Sequence, residues 1–358
     1  MAQKTGTHGL LTLLSMTSST VAQVGIDLVA ATLAEDLARF NAIVKGDLIG
    51  SLADVTTDRL RAGGASNNDG QMYELDQYGR PPTQLQGVAP TVGFPLKLFG
   101  FGLGWTEKWM QLKTPADVAM QQQDAQMAYT KALRRDLKRA IYLSANYSVV
   151  DKLGGDGVTL NIKRLLNADS AAIPNGPNGE VYNAATHTHY TAEAALTAAG
   201  LLAAVNNVVE HGVTGPVVVA IAAADEAAVR GLAGFIAAID PRLVLGGGFT
   251  ASTPSAPLAL YDMNNVRIGN FGRSEVWVKP WAIASYALVF DGGGSMKPLA
   301  MRQRSADTLQ GLRLAATTSL FPLTAENYEA EFGFGVWARA KAAVHFFAGG
   351  TYTDPVIT

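Results

Sequence analysis

The chain has 358 residues, 48% hydrophobic and only 16% charged, with a formal net charge of −2, so it is a folded protein with material for one large or two medium domains and not a disordered one. Near-neutrality excludes a global electrostatic footprint for nucleic acid and leaves only local or weak contact, while the scarcity of charge suits a surface taken up by subunit interfaces. The absence of cysteine excludes disulfides, thiolate metal sites and cysteine nucleophiles.

The first sixteen residues hold a single lysine and a brief apolar stretch at 10–14, too short for a signal-peptide core. The apolar stretches at 194–205 and 217–224 fall short of a membrane span, so no membrane partner is expected and the chain is read as cytoplasmic in origin. Val21, Val24, Leu28, Leu33 and Leu37 recur near helical spacing and predict an amphipathic helix over 21–37, behind a polar N-terminal arm. Residues 46–70 carry little pattern and read as loop. Over 71–109 the chain looks extended. Tyr73, Leu75 and Tyr78 precede Gly79-Arg80-Pro81-Pro82, and 92–103 is rich in aromatics and glycine, which predicts two strands around a polar tip as a long hairpin-like arm.

Thr114-Pro115-Ala116-Asp117 is a helix start, with an N-cap hydroxyl, proline at the first helical position and a carboxylate in the first turn. No glycine or proline follows until Gly154, which predicts a helix over 115–146, roughly 45 Å long at about 1.5 Å per residue. Its apolar stripe is narrow: Met120, Met127, Leu133, Leu137 and Ile141. After a loop rich in Gly, Pro and Asn over 172–188, Thr191 is expected to open a second helix with Leu196, Leu202, Val205 and Val209 inward and Gly212 as its stop. Residues 216–221 form a continuous apolar strand. Asp225 is expected to cap a third helix over 226–238, and strands at 275–278 and 286–290 complete an α/β layer. The last section returns to strands at 309–315, at the alternating Phe332, Phe334 and Val336, and at 343–347.

Few residues offer chemistry. His187 and His189 could place two imidazoles on one face of a strand, half of a metal site, or be ordinary hydrogen-bonding histidines, since nothing in the sequence ties a third ligand to them. His8, His211 and His345 stand isolated. The glycine clusters Gly100-Phe-Gly102-Leu-Gly104, Gly246-Gly-Gly248 and Gly292-Gly-Gly294 lack the spacing of phosphate cradles and read as loops or close backbone approaches. Glu35 and Asp36 point around a helix surface without a partner, and no Gly-x-Ser-x-Gly elbow occurs. No catalytic, cofactor-binding or metal residue is therefore assigned, and no cofactor is expected. Arg134, Arg135, Lys138 and Arg139 gather positive charge on one side of the long helix, to be met by solvent, DNA phosphates or a neighbouring subunit's carboxylates.

Three blocks resemble the major capsid proteins of tailed phages, particularly those of phages of actinobacteria and related hosts. Tyr78-Gly-Arg-Pro-Pro-Thr-Gln84, Val92-Gly-Phe-Pro-Leu96 and Gly104-Trp-Thr-Glu-Lys108 are similar to that family's E-loop running into its spine helix. Thr186-His-Thr-His-Tyr190 before an Ala/Leu-rich helix resembles the lead-in to its axial domain. Ile268-Gly-Asn-Phe271, Val276-Trp-Val-Lys-Pro-Trp281, Phe332-Gly-Phe-Gly-Val336 and Ala342-Ala-Val344 are similar to its axial and peripheral strands. The resemblance implies an α+β, Hong Kong 97-like (Johnson) fold: N-terminal arm and helix (1–45), linker and E-loop (46–109), peripheral domain with spine helix (110–190), axial domain (191–295) and peripheral return strands (296–358). It implies a non-enzymatic subunit that forms hexamers and pentamers of an icosahedral or prolate virion shell, assembled in the host cytoplasm. Its partners would be copies of itself, a portal protein, a separate scaffolding protein, a decoration protein and, weakly, packaged double-stranded DNA. Tyr73, Leu75, Tyr78, Arg80 and Leu85 would be E-loop contacts between subunits. No large scaffolding domain is expected ahead of the fold. Some members join subunits through a lysine–asparagine isopeptide bond, but no lysine occurs between Lys45 and Lys97, so a noncovalent shell is expected. The alternatives are an encapsulin-like compartment shell, which shares the fold, and a metal-dependent α/β enzyme using His187 and His189.

Overall fold

The computed structural model describes residues 10–44, 52–62, 72–81, 91–213, 215–238, 265–294 and 296–357. Helix α1 (Leu10–Ser15) leads into α2 (Val21–Val24) and α3 (Ile26–Val44). The helix expected over 21–37 is thus two, broken at Gly25, whose φ of +105° is a backbone state open to glycine and strained for other residues. Val21, Leu33 and Leu37 are buried as expected, and Val29 is buried beside them.

Residues 52–62, read as loop, hold β1 (Ala53–Thr56) and β2 (Leu60–Ala62). Strand β2 pairs antiparallel with β3 (Thr91–Gly93). The expected strand around Tyr73 is not formed: residues 72–81 are irregular, with a turn at 77–78. The aromatic and glycine-rich half does form a strand, β4 (Lys97–Thr106), followed by α4 (Glu107–Leu112).

Helix α5 (Pro115–Tyr142) starts where expected. Thr114 Oγ1 accepts from the Asp117 amide at 3.3 Å while the Asp117 carboxylate accepts from the Thr114 amide at 3.0 Å. It ends earlier than expected, at Leu143, which turns extended. Leu133, Leu137 and Ile141 are buried, but Met120 and Met127 are half exposed. The first half of the helix instead buries Val118, Ala119, Gln122, Ala125 and Tyr129, because α3 lies close against it and the Gln122 amide donates to the Leu33 carbonyl at 2.9 Å. A stripe drawn through large side chains misses a seam built on alanine.

Strands β5 (Tyr147–Val150) and β6 (Thr159–Ile162) form a hairpin, then come β7 (Tyr190–Ala192), α6 (Ala198–Val209), β8 (Val217–Ile221), α7 (Glu226–Arg230) and β9 (Phe235–Ala237). Thr191 therefore belongs to a strand. Thr197 caps α6 by accepting from the Gly200 amide, which shifts the inward face to Leu201, Ala204, Val205 and Val208 and leaves Leu202 and Val209 exposed. The third helix is one turn and a half, and Asp225 accepts from the Ser285 amide at 3.0 Å in place of capping it. Gly212 adopts the expected positive φ just beyond α6.

Strands β10 (Val266–Phe271), β11 (Ser274–Val278), β12 (Tyr286–Asp291), β13 (Leu299–Arg302), β14 (Arg313–Leu320), β15 (Leu323–Val336) and β16 (Ala342–Phe346) complete the chain. A seven-stranded sheet runs β7-β16-β12-β8-β11-β10-β9; a second runs β1-β13-β15-β14, with β4 also on β15. Strand β12 shows how the two cores join. By the two-residue period of a strand, Ala287 and Val289 face α6, whereas Tyr286, Leu288 and Phe290 face the core containing Leu133, Leu137 and Phe332. In β15 the phenylalanines pack toward α5, Tyr129 meeting Phe332 edge-on at 5.6 Å. Gly333 and Gly335 fall on the opposite face, where a Cβ would strike the Pro95 carbonyl and the Phe94 ring. Among the described residues no helix is long and apolar enough to cross a membrane.

Candidate functional site

Among the described residues, the hydrogen bonds of segment 72–81 are internal. Asp76 Oδ1 accepts from the Tyr78 amide at 3.0 Å and the Asp76 carbonyl from the Gly79 amide at 3.1 Å, a local turn that Asp and Gly favour. Every residue in it is exposed; Tyr73, Leu75 and Arg80 face solvent and Tyr78 is 87% exposed. Leu85 lies outside the described residues. A second exposed apolar tip, not anticipated from the sequence, closes the β14–β15 hairpin: Leu320 and Phe321 are 76% and 83% exposed, with Leu323 beside them. Its signal is the run Leu320-Phe321-Pro322-Leu323 at a turn, where polar residues normally sit. Apolar clusters left in water mark contact surfaces.

The four basic residues of α5 separate in space. Arg134, Arg135 and Lys138 line one groove with Lys131, floored by Phe99, Phe101 and Tyr328, whereas Arg139 opens onto another hollow beside Lys97, Asp136 and Arg164. None of Arg134, Arg135, Lys138 and Arg139 forms an ion pair among the described residues. Burial, reinforced by the Arg134 charge, holds the Lys138 amine below its ordinary value. Asp36 does have partners: its carboxylate accepts from Gln122 at 3.1 Å and Gln126 at 2.7 Å, across the α3–α5 seam. Glu35 pairs with Arg39 in solvent.

Gly100, Gly102 and Gly104 lie along β4 and not in a loop, Gly292 to Gly294 form a turn packed on Pro216, and Gly246 to Gly248 lie outside the described residues. The histidines are less solitary than the sequence suggests. His345 Nε2 lies 2.8 Å from the Glu193 carboxylate. His211 is carried by the end of α6 to His187 and His189, with Glu210 alongside, and among the described residues this is the cluster able to hold a metal ion. Burial lowers the pKa of His187 and of His189, and brings that of His211 to about 4, so all three imidazoles are neutral near pH 7. Burial, together with Glu180, raises that of Glu210.

The sequence matches no family model and no curated protein. In structure the chain is similar to a solved chain from Mycobacterium phage Patience, at 19% identity, covering 99% of this chain and 96% of that one, with a TM-score of 0.65. Weaker likenesses, too low to carry an argument, are to the capsid of a native GTA particle (14% identity, 86% and 91% covered, TM-score 0.46) and to the holo-SrpI encapsulin complex from Synechococcus elongatus PCC 7942 (9%, 84% and 86%, 0.42). The chain has the α+β, Hong Kong 97-like fold that its sequence blocks imply.

Proposed function

We propose that this chain is the major capsid protein of a tailed phage, a structural subunit that assembles with copies of itself into a shell enclosing double-stranded DNA. The observation that carries this reading is the fold likeness over nearly the whole of both chains, at a TM-score of 0.65. Physical chemistry adds to it. Tyr73, Leu75 and Tyr78 at one projection and Leu320, Phe321 and Leu323 at another are left in water by the single chain, and burying a large apolar side chain contributes about 1.5–3 kcal/mol. Quasi-symmetric packing buries both projections and closes a shell.

In this reading residues 1–45 are the N-terminal arm and helix, 46–109 the linker and E-loop, 110–190 and 296–358 the peripheral domain, and 191–295 the axial domain around hexamer and pentamer centres. Tyr73, Leu75, Tyr78, Arg80 and Leu85 are E-loop contacts; Arg134, Arg135, Lys138 and Arg139 face a neighbour's carboxylates or the packaged DNA, which is held weakly. A portal, a separate scaffolding protein and a decoration protein join the shell in the host cytoplasm, and the product is the virion. The subunits hold noncovalently, because no lysine lies between Lys45 and Lys97.

Negative-stain microscopy of the purified protein, alone and with scaffold supplied, tests this. Closed shells are expected, releasing a single band near 37.7 kDa on boiling in detergent. A persistent monomer in every condition contradicts the shell, shells filled with protein cargo contradict the DNA container, and a ladder of multimers contradicts noncovalent assembly.

A further inference from the structure

We propose that His187, His189, His211 and Glu210 form a structural site for a divalent cation of the zinc class. The backbone brings these four together from two directions. His187 and His189 flank Thr188, which bridges to Asn167 in an extended connector just ahead of β7, so both imidazoles fall on the same side of the chain. Glu210 and His211 follow the last turn of α6, before the chain reverses at Gly212. Tyr182 covers the group, its ring 4.9 Å from His187 and 4.3 Å from His211 and its hydroxyl donating to the Glu210 carbonyl at 2.8 Å.

The ligand atoms are already gathered, all within 4.8 Å of one another, so that small side-chain shifts bring them around one ion. His187 Nε2 is 3.3 Å from His189 Nε2 and 3.0 Å from His211 Nε2, and Glu210 Oε1 is 3.5 Å from His187 Nε2 and 3.8 Å from His211 Nε2. A tetrahedral ion with nitrogen ligands at about 2.0–2.1 Å has ligand-to-ligand edges of about 3.3 Å.

Proton bookkeeping points the same way. His189 Nδ1 faces the Ala342 carbonyl at 2.7 Å, and a carbonyl only accepts, so Nδ1 carries the hydrogen and Nε2 turns a lone pair into the cluster. His187 Nε2 has at most one hydrogen to offer two neighbouring nitrogens and a carboxylate. Glu210 Oε1 is buried with no hydrogen-bond partner. Lone pairs thus converge with too few protons between them, a costly arrangement that a cation relieves. The His189 to Ala342 bond is also the outer contact that orients a metal-bound imidazole. Lys341, the nearby cation, is engaged elsewhere: it donates to the Gly212 carbonyl and lies 3.8 Å from Asp291.

Three imidazoles and a carboxylate suit zinc, with cobalt or nickel as substitutes, and a full set of four protein ligands closes the coordination, as in a structural and not a catalytic site. The ion would staple the connector before edge strand β7 to the end of α6 and, through His189 and Ala342, to β16.

The test uses untagged full-length protein, stripped with a chelator, dialysed and returned to Zn²⁺. About one zinc ion per chain should be retained, with a melting temperature several degrees above that of the stripped protein, and His211→Ala and His187→Ala should each bind zinc roughly tenfold or more weakly. Because either variant could misfold, Co²⁺ loading of the wild-type chain provides an independent reading: intense visible absorption of tetrahedral cobalt is expected. Retention below a tenth of an ion per chain with no melting shift, or a cobalt spectrum without tetrahedral bands, overturns the site.

Discussion

Helix α5 and the segment 72–81 solve the problem of projecting chain in opposite ways. The helix is completed from within: its first turn is doubly capped, Leu133 and Leu137 are fully buried, and buried Asp136 accepts from Lys97 and from the Phe334 amide at 3.3 Å, binding helix, β4 and β15 together. Among the described residues the hydrogen bonds of the segment are its own, its turn closed by Asp76, and its aromatic and aliphatic groups face water. One region carries stability within the chain, and the other is the proposed contact with a neighbour. Substitutions in the two should therefore fail in different assays.

The largest effect belongs to the helix. Leu133→Pro removes an interior hydrogen bond and forces the ring into the preceding turn, at about 3 kcal/mol or more, and it also empties a fully buried site. Folded protein should be lost, as read by circular dichroism and soluble yield; normal particles from this variant would mean that α5 does not act as one continuous element.

Nearly as damaging is the loss of Asp151, fully buried between Arg302 Nη1 at 2.9 Å and Arg59 Nε at 3.0 Å. Asp151→Ala strands the buried Arg302 guanidinium, and breaking such a pair costs about 3–5 kcal/mol. Urea unfolding should show the drop, and an unchanged midpoint would mean that water compensates Arg302.

Asp169 offers a milder, pH-dependent probe of the same internal bracing. Burial opposes its charge, but hydrogen bonds from Lys163 at 2.9 Å and the Arg339 fork at 3.0 and 3.2 Å outweigh this and hold its carboxyl well below the usual carboxylate range. A depressed folded-state value means that the stabilisation is full above the unfolded pKa, about 4, and is lost as pH falls through it toward the folded value. Asp169→Asn should cost about 2 kcal/mol at pH 7 and flatten the loss of melting temperature below pH 4. An acid slope equal to that of wild type would place the titrating group elsewhere.

Smallest on folding, and sharpest for the comparison, are Tyr78→Ala and Arg80→Ala. Exposed groups away from any contact change stability by no more than about 0.5 kcal/mol, so melting should hold while the yield of particles falls, Arg80 losing a planar fork able to pair with a neighbour's carboxylate. A matched loss of melting temperature would show that the segment braces its own chain.

The start of α5 was legible because its signals are local: hydroxyl, proline and carboxylate within four residues. Its early buried face was not, because that face exists only where α3 approaches and lets alanine and Gln122 do the packing. Strands β8 and β12 were legible as apolar runs, since a strand buried on both faces needs them. The inward face of α6 is displaced by one position from that expected with Thr191 as the helix start, because Thr197 supplies the capping hydroxyl. Of the histidine cluster, the His187/His189 half was visible as a two-residue repeat. His211 was not, since only the reversal of the chain through α6 carries it back over more than twenty residues. Leu85 and the Gly246 cluster lie outside the described residues.

Hydrogen–deuterium exchange, compared between assembled particles and dissociated subunits, tests most directly whether the exposed segment is an assembly contact. Amides over 72–81 should exchange freely in the dissociated subunit and become strongly protected in the particle, while those of α5 around Leu133 and Leu137 stay protected in both. Equal, rapid exchange of 72–81 in both states would contradict the account.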